Sequence, residues 1–129
     1  MPSPATVEAF LATVESGDHV GAIARFYAPD ASMQENQEEP RVGRDGLMAH
    51  EARMLGYFDK VTTERLGPAL ISGDHVAIRW RFRFDWADCS VTEMEEVACQ
   101  RWDGERIAEE TFFYDPAQRI AKAPKAAND

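Results

Sequence analysis

The chain has 129 residues, a formal net charge of −9 at pH 7 and an isoelectric point near 4.8. This length fits one domain, and a strongly acidic chain lacks the clustered basic residues that bind phosphate, which excludes nucleic acid and anionic membranes as partners. No apolar run is long enough to span a bilayer, and residues 1–6 lack the basic and apolar segments of a signal peptide, so we expect a cytoplasmic protein.

The cysteine and histidine content argues against a metal site. Cys89 falls in a predicted hairpin loop and Cys99 well along the next strand, so the two are too far apart to form a disulfide. Neither cysteine has CxxC spacing, and the chain contains only three histidines. We therefore expect two reduced thiols, no metal and no other cofactor.

Helical spacing of apolar residues occurs in the first half of the chain. The pattern, with its capping residues, predicts helices over residues 3–17, 18–29 and 45–57. Tyr27 lies on the apolar stripe of the second helix. The stripe of the third helix places His50 or Glu51 on its buried side or at its border.

Alternation of apolar and polar residues predicts strands in the second half. Residues 76–86 place Val, Ile, Trp, Phe, Phe and Trp on one face and Ala, three Arg and Asp on the other. Further strands are predicted over 31–35, 61–71 with a bend at Gly67–Pro68, 91–102 and 107–114, with a loop over 36–43.

This order of elements predicts an α+β fold, with three N-terminal helices packed on an antiparallel sheet whose last four strands form a meander. Residues 1–116 form the single domain. Residues 117–129 are rich in Ala and Lys and have no apolar periodicity, so they are expected to form a mobile tail.

The charged face of the sheet has three interpretations. Folding the hairpin about Cys89 brings Arg83 near Glu95 and Asp85 near Glu93, to within a register step. The face is then a solvated charge ladder, or it meets a second copy of the chain with Val97 and Cys99 at the centre, or it binds an anion. We favour the ladder, alone or within a homodimer, over the anion site because the arginine stripe is convex.

Three stretches resemble the SnoaL-like branch of the nuclear transport factor 2-like superfamily. They are Ser16-Gly17-Asp18 with residues 26–31, then residues 42–46, then residues 100–107 leading to Tyr114-Asp115-Pro116. The resemblance covers nearly the whole chain apart from the tail. It implies a cystatin-like cone, in which the curled sheet and three helices enclose a hydrophobic pocket at the open end, and a homodimer through the outer sheet face.

The family includes ketosteroid isomerases, polyketide cyclases, dehydratases, epoxide hydrolases and members that only bind or scaffold, so the fold does not define the reaction. By resemblance to the isomerases, Glu35 matches the carboxylate that moves a proton. Phe10 and Ala98 occupy the places of the two oxyanion donors, and neither can donate a hydrogen bond. Steroid isomerisation by that mechanism is therefore not expected here.

The catalytic candidates are Glu35 as general base and His50 as a second acid or base, although a solvated Glu35 at the rim is an open alternative. Glu96 could hold a polar group of the substrate or pair with an inward polar group from the last strand. The residues predicted to contact a substrate are largely aromatic or apolar, as pockets usually are: Phe10, Tyr27, Met33, Met54, Trp80, Phe82, Phe84, Met94, Glu96, Gln100 and Trp102.

Three functions remain open at this point. The first is a cofactor-free isomerase, cyclase or dehydratase that acts on a hydrophobic small molecule. The second is a binding module that holds such a molecule without chemistry. The third is a dimeric assembly domain whose cone is filled by its own side chains.

Overall fold

The structure is a computed structural model that describes residues 1–123. Its helices are α1 (Pro4–Glu15), α2 (His19–Phe26) and α3 (Arg44–Leu55). Its strands are β1 (Tyr27–Glu35), β2 (Arg41–Val42), β3 (Phe58–Arg65), β4 (Leu70–Ser72), β5 (His75–Trp86), β6 (Val91–Asp103) and β7 (Arg106–Phe113), followed by a 3-10 helix (Pro116–Arg119). No helix within residues 1–123 has the length and apolar character needed to cross a membrane.

The strands form one sheet in the order β2-β1-β7-β6-β5-β3, with β4 also paired to β5. The α+β fold is confirmed. The sheet is mixed, however, because β1 runs parallel to β7 while the other pairs are antiparallel. After β1 the chain passes through α3 to β3 at the opposite edge, so the last strand of the meander is the one that meets β1.

The first two helices begin where capping predicts. The Ser3 hydroxyl accepts the Thr6 amide at 3.1 Å, and the Asp18 carboxylate accepts the Gly21 amide at 2.9 Å. The second helix ends at Phe26, before the predicted end, so Tyr27 starts β1 and enters the interior from a strand.

The buried face of α2 also differs from the stripe that helical spacing predicts, which consists of Val20, Ile23, Ala24 and Tyr27. It contains His19, Ala22, Ile23 and Phe26. His19 can face inward because Thr63 of β3 meets its Nε2 atom at 2.9 Å. The buried face therefore lies one position earlier in the chain than predicted, and its polar member, His19, has a buried partner.

The apolar core lies between the helices and the inner face of the sheet. Phe10 of α1 packs edge-on against Phe26 and Trp102, with ring centroids 5.5 and 6.1 Å apart. On β5 and β6 the predicted alternation holds, and Trp80, Ala98 and Trp102 are each no more than 2% exposed. These two strands therefore present the face on which the site is built.

The outer face of the sheet carries the charge ladder with a shifted register. Arg83 lies opposite Glu93 and Arg81 opposite Glu95, because the hairpin is centred one residue before Cys89. Arg81 is 2.9 Å from Glu95 and 3.1 Å from Glu64 on the neighbouring strand. The Cys89 and Cys99 thiols are both free and exposed.

Two segments differ from the prediction in where their strands begin and end. The strand over 61–71 is interrupted after Arg65 and resumes as β4, with Gly67 at φ +139° in the predicted bend. Within the predicted loop over 36–43, Arg41 and Val42 form a short strand on the edge of β1.

Residues 116–122, which we call the C-terminal strap, pack along the sheet. The main chain of Lys122 forms hydrogen bonds with Val91 in both directions, at 2.8 and 3.0 Å, and Gln118 bonds to the main chain of Glu95. Pairing of β7 with β6 starts only at Val97, so the strap covers the strand edge that β7 leaves unpaired. The sequence predicted a mobile tail over residues 117–129. Residues 117–122 make these contacts with the sheet, and residues 124–129 lie outside the described chain.

Candidate functional site

A cavity of about 700 Å³ lies between the helices and the inner face of the sheet. Eleven of the thirteen predicted site residues line it: Phe10, Tyr27, Met33, Glu35, His50, Met54, Trp80, Phe82, Phe84, Met94 and Glu96. The other two, Gln100 and Trp102, are buried in the core behind the cavity wall. Within residues 1–123 no cluster of His, Cys, Asp or Glu is arranged to hold a metal ion.

The aromatic wall of the cavity comes mainly from β5. Trp80, Phe82, Phe84 and Trp86 are alternate residues of that strand, so their rings stand in a row on one face. The Phe82 and Phe84 rings are nearly parallel, with centroids 6.1 Å apart. Phe58 of β3 packs 4.7 Å from Phe84 and 4.6 Å from Trp86 and extends the wall.

Glu96 of β6 brings a carboxyl group into this wall, directly opposite Trp80 in the strand register. Burial, followed by repulsion from Glu35, Glu110 and Glu51, raises the pKa of Glu96 to about 8. Among residues 1–123, none donates a hydrogen bond to this carboxyl group. At neutral pH it is therefore mostly in the protonated form.

Glu110 of β7 is a second buried acid, only 2% exposed, and the sequence did not indicate it. Strict alternation from Ile107 turns Glu109 inward. The register between β6 and β7 instead shifts next to Trp102, so that Ala108 is an extra residue and Glu110 faces the cavity. The only indication of Glu110 in the sequence was the expectation that Glu96 could pair with an inward polar group from the last strand.

Glu110 ends a chain of buried hydrogen bonds. The Trp102 indole N–H donates to Gln100 Oε1 at 2.9 Å, the Gln100 amide donates to Glu110 at 2.5 Å, and the Tyr27 hydroxyl donates to the other Glu110 oxygen. Burial raises the pKa of Glu110 to about 7, although these two donors oppose the shift. Burial and the charge of Glu110 also raise the pKa of Tyr27.

Glu35 lies at the mouth of the cavity, with its side chain 30% exposed. The Tyr114 hydroxyl donates to Glu35 Oε1 at 3.0 Å. The other carboxylate oxygen, Oε2, is 3.3 Å from the Arg119 guanidinium and 3.7 Å from that of Arg41. The carboxylate thus faces the mouth, but two guanidinium groups hold it.

The two cavity histidines differ in their surroundings. His50 Nδ1 is 3.1 Å from the Arg53 guanidinium, and burial together with Arg41 and Arg53 lowers the pKa of His50. His19, which the sequence did not indicate as a site residue, lies against Thr63, with its Nδ1 atom 3.5 Å from Glu51. His50 is therefore mainly neutral at pH 7, and His19 joins α2 to β3 and α3.

Comparison with known proteins places the chain in a family. Residues 7–110 match the SnoaL-like domain. The chain belongs to the SnoaL-like domain family. No curated protein matches it.

Solved structures resemble this SnoaL-like domain over most of its length. A candidate SnoaL-like polyketide cyclase from Mesorhizobium loti has a TM-score of 0.73 and 24% identity, covering 88% of this chain and 100% of the other. A Catenulispora acidiphila protein with a ketosteroid isomerase-like fold, in complex with trimethylamine, has a TM-score of 0.76 and 20% identity, covering 92% and 91%. A Xanthomonas campestris protein with a cystatin-like fold has a TM-score of 0.76 and 18% identity, covering 92% and 95%.

The cavity of this SnoaL-like domain contains groups that are suited to acid–base chemistry. Phe10 and Ala98 are buried and present no hydrogen-bond donor from their side chains. The cavity instead combines aromatic rings with Glu96 and Glu110, two acids whose pKa values lie near neutrality. Such groups can both donate and accept a proton at working pH.

Proposed function

We propose that this SnoaL-like domain binds a hydrophobic small molecule in the cavity and exchanges a proton with it through the carboxyl group of Glu96. The observation that carries the proposal is the position of that carboxyl group in an aromatic wall, with no hydrogen-bond donor to it among residues 1–123. A group whose pKa is about 8 is close to the optimum for proton transfer near neutral pH. Isomerisation, cyclisation and dehydration all contain such a step.

Glu35 is proposed as the second proton-transfer group, the general base of the reaction. Its position at the cavity mouth supports this role. Its contacts with Arg41 and Arg119 oppose the role, because the carboxylate must leave two guanidinium groups to reach a substrate proton. We therefore expect Glu96 to contribute more than Glu35.

Deuterium exchange tests the proposal without knowledge of the natural substrate. The protein is incubated in D₂O with 2-tetralone, an aromatic ketone with acidic α-protons, and exchange is followed by NMR. We expect faster exchange than in buffer alone, and a loss of about tenfold or more in Glu96→Gln, in the range that general acid–base groups contribute. Glu35→Gln is expected to lose less.

The matched control is Glu93→Gln, which changes an exposed glutamate on the outer face of the same strand. Tryptophan fluorescence, from Trp80 and Trp86 in the cavity wall, reports binding of the ketone in each variant. Equal exchange rates in wild type and Glu96→Gln would rule out the assigned role of Glu96.

Ligand binding without chemistry is the second candidate function. The lack of side-chain donors at Phe10 and Ala98 and the ion-paired state of Glu35 favour it. In that case the ketone binds without accelerated exchange, and Trp80→Ala weakens binding more than Glu35→Gln does. A protein that binds no member of a panel of hydrophobic ligands instead supports the assembly domain.

A further inference from the structure

We infer that the ligand of this cavity carries a positively charged nitrogen, an amine or a quaternary ammonium group, bound between the aromatic rings of β5 and the carboxyl group of Glu96. The inference rests on the proposed function, because it uses the same cavity. It adds the charge of the ligand, which neither the fold nor the family assigns.

The charges of the cavity lining are the first argument. Six lining residues are glutamates: Glu35, Glu38, Glu39, Glu51, Glu96 and Glu110. Glu96 and Glu110, whose pKa values are about 8 and about 7, become fully charged only above neutral pH. Within residues 1–123 the lining contains no lysine and two arginines, Arg41 and Arg119, both paired with Glu35 at the mouth. A concave site lined mainly by one sign of charge focuses the field and attracts ligands of the opposite sign.

The aromatic wall is the second and independent argument. The faces of aromatic rings carry negative potential and attract cations, most strongly at Trp. Trp80 stands opposite Glu96 on the adjacent strand, and both residues line the cavity together with the more exposed rings of Phe82, Phe84 and Trp86. Aromatic rings that surround the cation are the arrangement by which proteins recognise quaternary ammonium groups, and an ionised carboxyl group beside them adds an opposite charge.

Other ligand charges fit the cavity less well. An anion faces the glutamates of the lining, and the two arginines that line the cavity, Arg41 and Arg119, are already paired with Glu35. A neutral apolar ligand gains contact with the rings but covers the Glu96 carboxyl group without giving it a hydrogen-bond partner, which is unfavourable. A cation satisfies both the rings and the acid.

Binding of a cation is expected to release a proton from Glu96. The charged groups around this carboxyl are Glu35 of β1, Glu51 of α3, Glu110 of β7 and Arg119 of the C-terminal strap, and His19 and His50 also line the cavity. The three carboxylates disfavour the ionised form of Glu96, and a bound cation reverses that effect. Affinity should therefore rise with pH up to about 8, the pKa of Glu96, and level off above it.

Two probes that differ in charge but not in shape test the inference: phenyltrimethylammonium and its carbon isostere tert-butylbenzene. Binding is measured by tryptophan fluorescence at pH 6 and pH 8. We expect the cation to bind at least tenfold more tightly than the isostere at pH 8, and to lose about tenfold or more in affinity at pH 6. The isostere should bind equally at both pH values.

Glu96→Gln should remove most of the pH dependence of cation binding, leaving the part that comes from Glu110, whose pKa is about 7. Binding of the isostere should be unaffected, and Glu93→Gln should behave as wild type. If Glu96→Gln does not fold, Phe84→Leu replaces it. This variant should weaken binding of the cation more than binding of the isostere. Equal or tighter binding of tert-butylbenzene overturns the inference and leaves the proposed cavity function intact. Binding of neither probe, nor of any other hydrophobic ligand, overturns both.

Discussion

Glu110 is a buried carboxyl group whose ionisation is unfavourable, and its raised pKa makes the stability of the protein depend on pH. It is 2% exposed, and burial raises its pKa from 4.5 to about 7. Between these two values the folded chain keeps the proton while the unfolded chain has lost it. The free energy of unfolding therefore falls as pH rises from about 4.5 to 7, and this contribution is constant outside that window.

We predict that Glu110→Gln removes this loss of stability. Between pH 5 and 7.5 the wild type should lose about 1–3 kcal/mol more unfolding free energy than the variant, as measured by urea denaturation at each pH. The glutamine carbonyl can still accept a hydrogen bond in place of the carboxylate. The control is Glu109→Gln. Because Arg101 lowers the pKa of Glu109, the effect of Glu109 on the pH dependence of stability is confined to pH values below 4.5. Parallel pH profiles for wild type and Glu110→Gln contradict the prediction.

At the scale of elements, the sequence predicted the features that depend only on residues close together in the chain. Capping residues and apolar spacing located the helix starts, and alternation assigned the inner faces of β5 and β6. The inward position of Glu110 depends on a one-residue shift between β6 and β7, which leaves no mark in an alternating pattern. Glu110 is thus a site residue that the sequence missed because its position is set by pairing with another strand.

The C-terminal strap shows the same limit, because its composition indicates mobility while its contacts indicate docking. The Gln118 side chain accepts the Glu95 amide at 2.7 Å and donates to the Glu95 carbonyl at 3.2 Å. We predict that Gln118→Ala speeds amide exchange of Lys122, which donates to Val91, by about tenfold, since two hydrogen bonds contribute roughly 1–3 kcal/mol.

Hydrogen exchange followed by NMR measures this effect. Gln118→Glu keeps one of the two hydrogen bonds and should give an intermediate rate, while global unfolding in urea should change by less than about 1 kcal/mol. If the Lys122 amide already exchanges at the unprotected rate in the wild type, the strap is not docked in solution.

For the whole molecule, the element order was sufficient to predict an α+β fold, and the resemblance added the cone. The first strand, β1, pairs in parallel with the last strand, β7, and no local sequence pattern encodes such a contact. Whether the cone contains a cavity also depends on contacts between elements that are far apart in the sequence. The same row of Trp80, Phe82 and Phe84 can fill a core or border a cavity, and the packing of α2 and α3 against the sheet decides which.

The outer face of the sheet carries an apolar patch, which we call the outer patch, formed by Val97, Cys99 and Phe113. Val97 and Phe113 are direct partners in the strand register and are 38% and 42% exposed, and Cys99 is also exposed. Charged pairs such as Arg81 with Glu95 and Arg101 with Glu109 stand beside it. An apolar centre with a polar rim is typical of an interface.

We therefore propose a homodimer in which the outer patches of two copies meet, and predict that Val97→Glu dissociates it. Two facing copies bring the introduced carboxylates together, whereas in a monomer an exposed substitution changes stability by no more than about 0.5 kcal/mol. Sedimentation velocity over a hundredfold range of concentration should show a dimer for the wild type and a monomer for the variant. Val42→Glu, at a 70% exposed valine on β2, is the control and should remain dimeric. A wild type that sediments as a monomer at every concentration contradicts the proposal, because Val97 and Phe113 then face solvent.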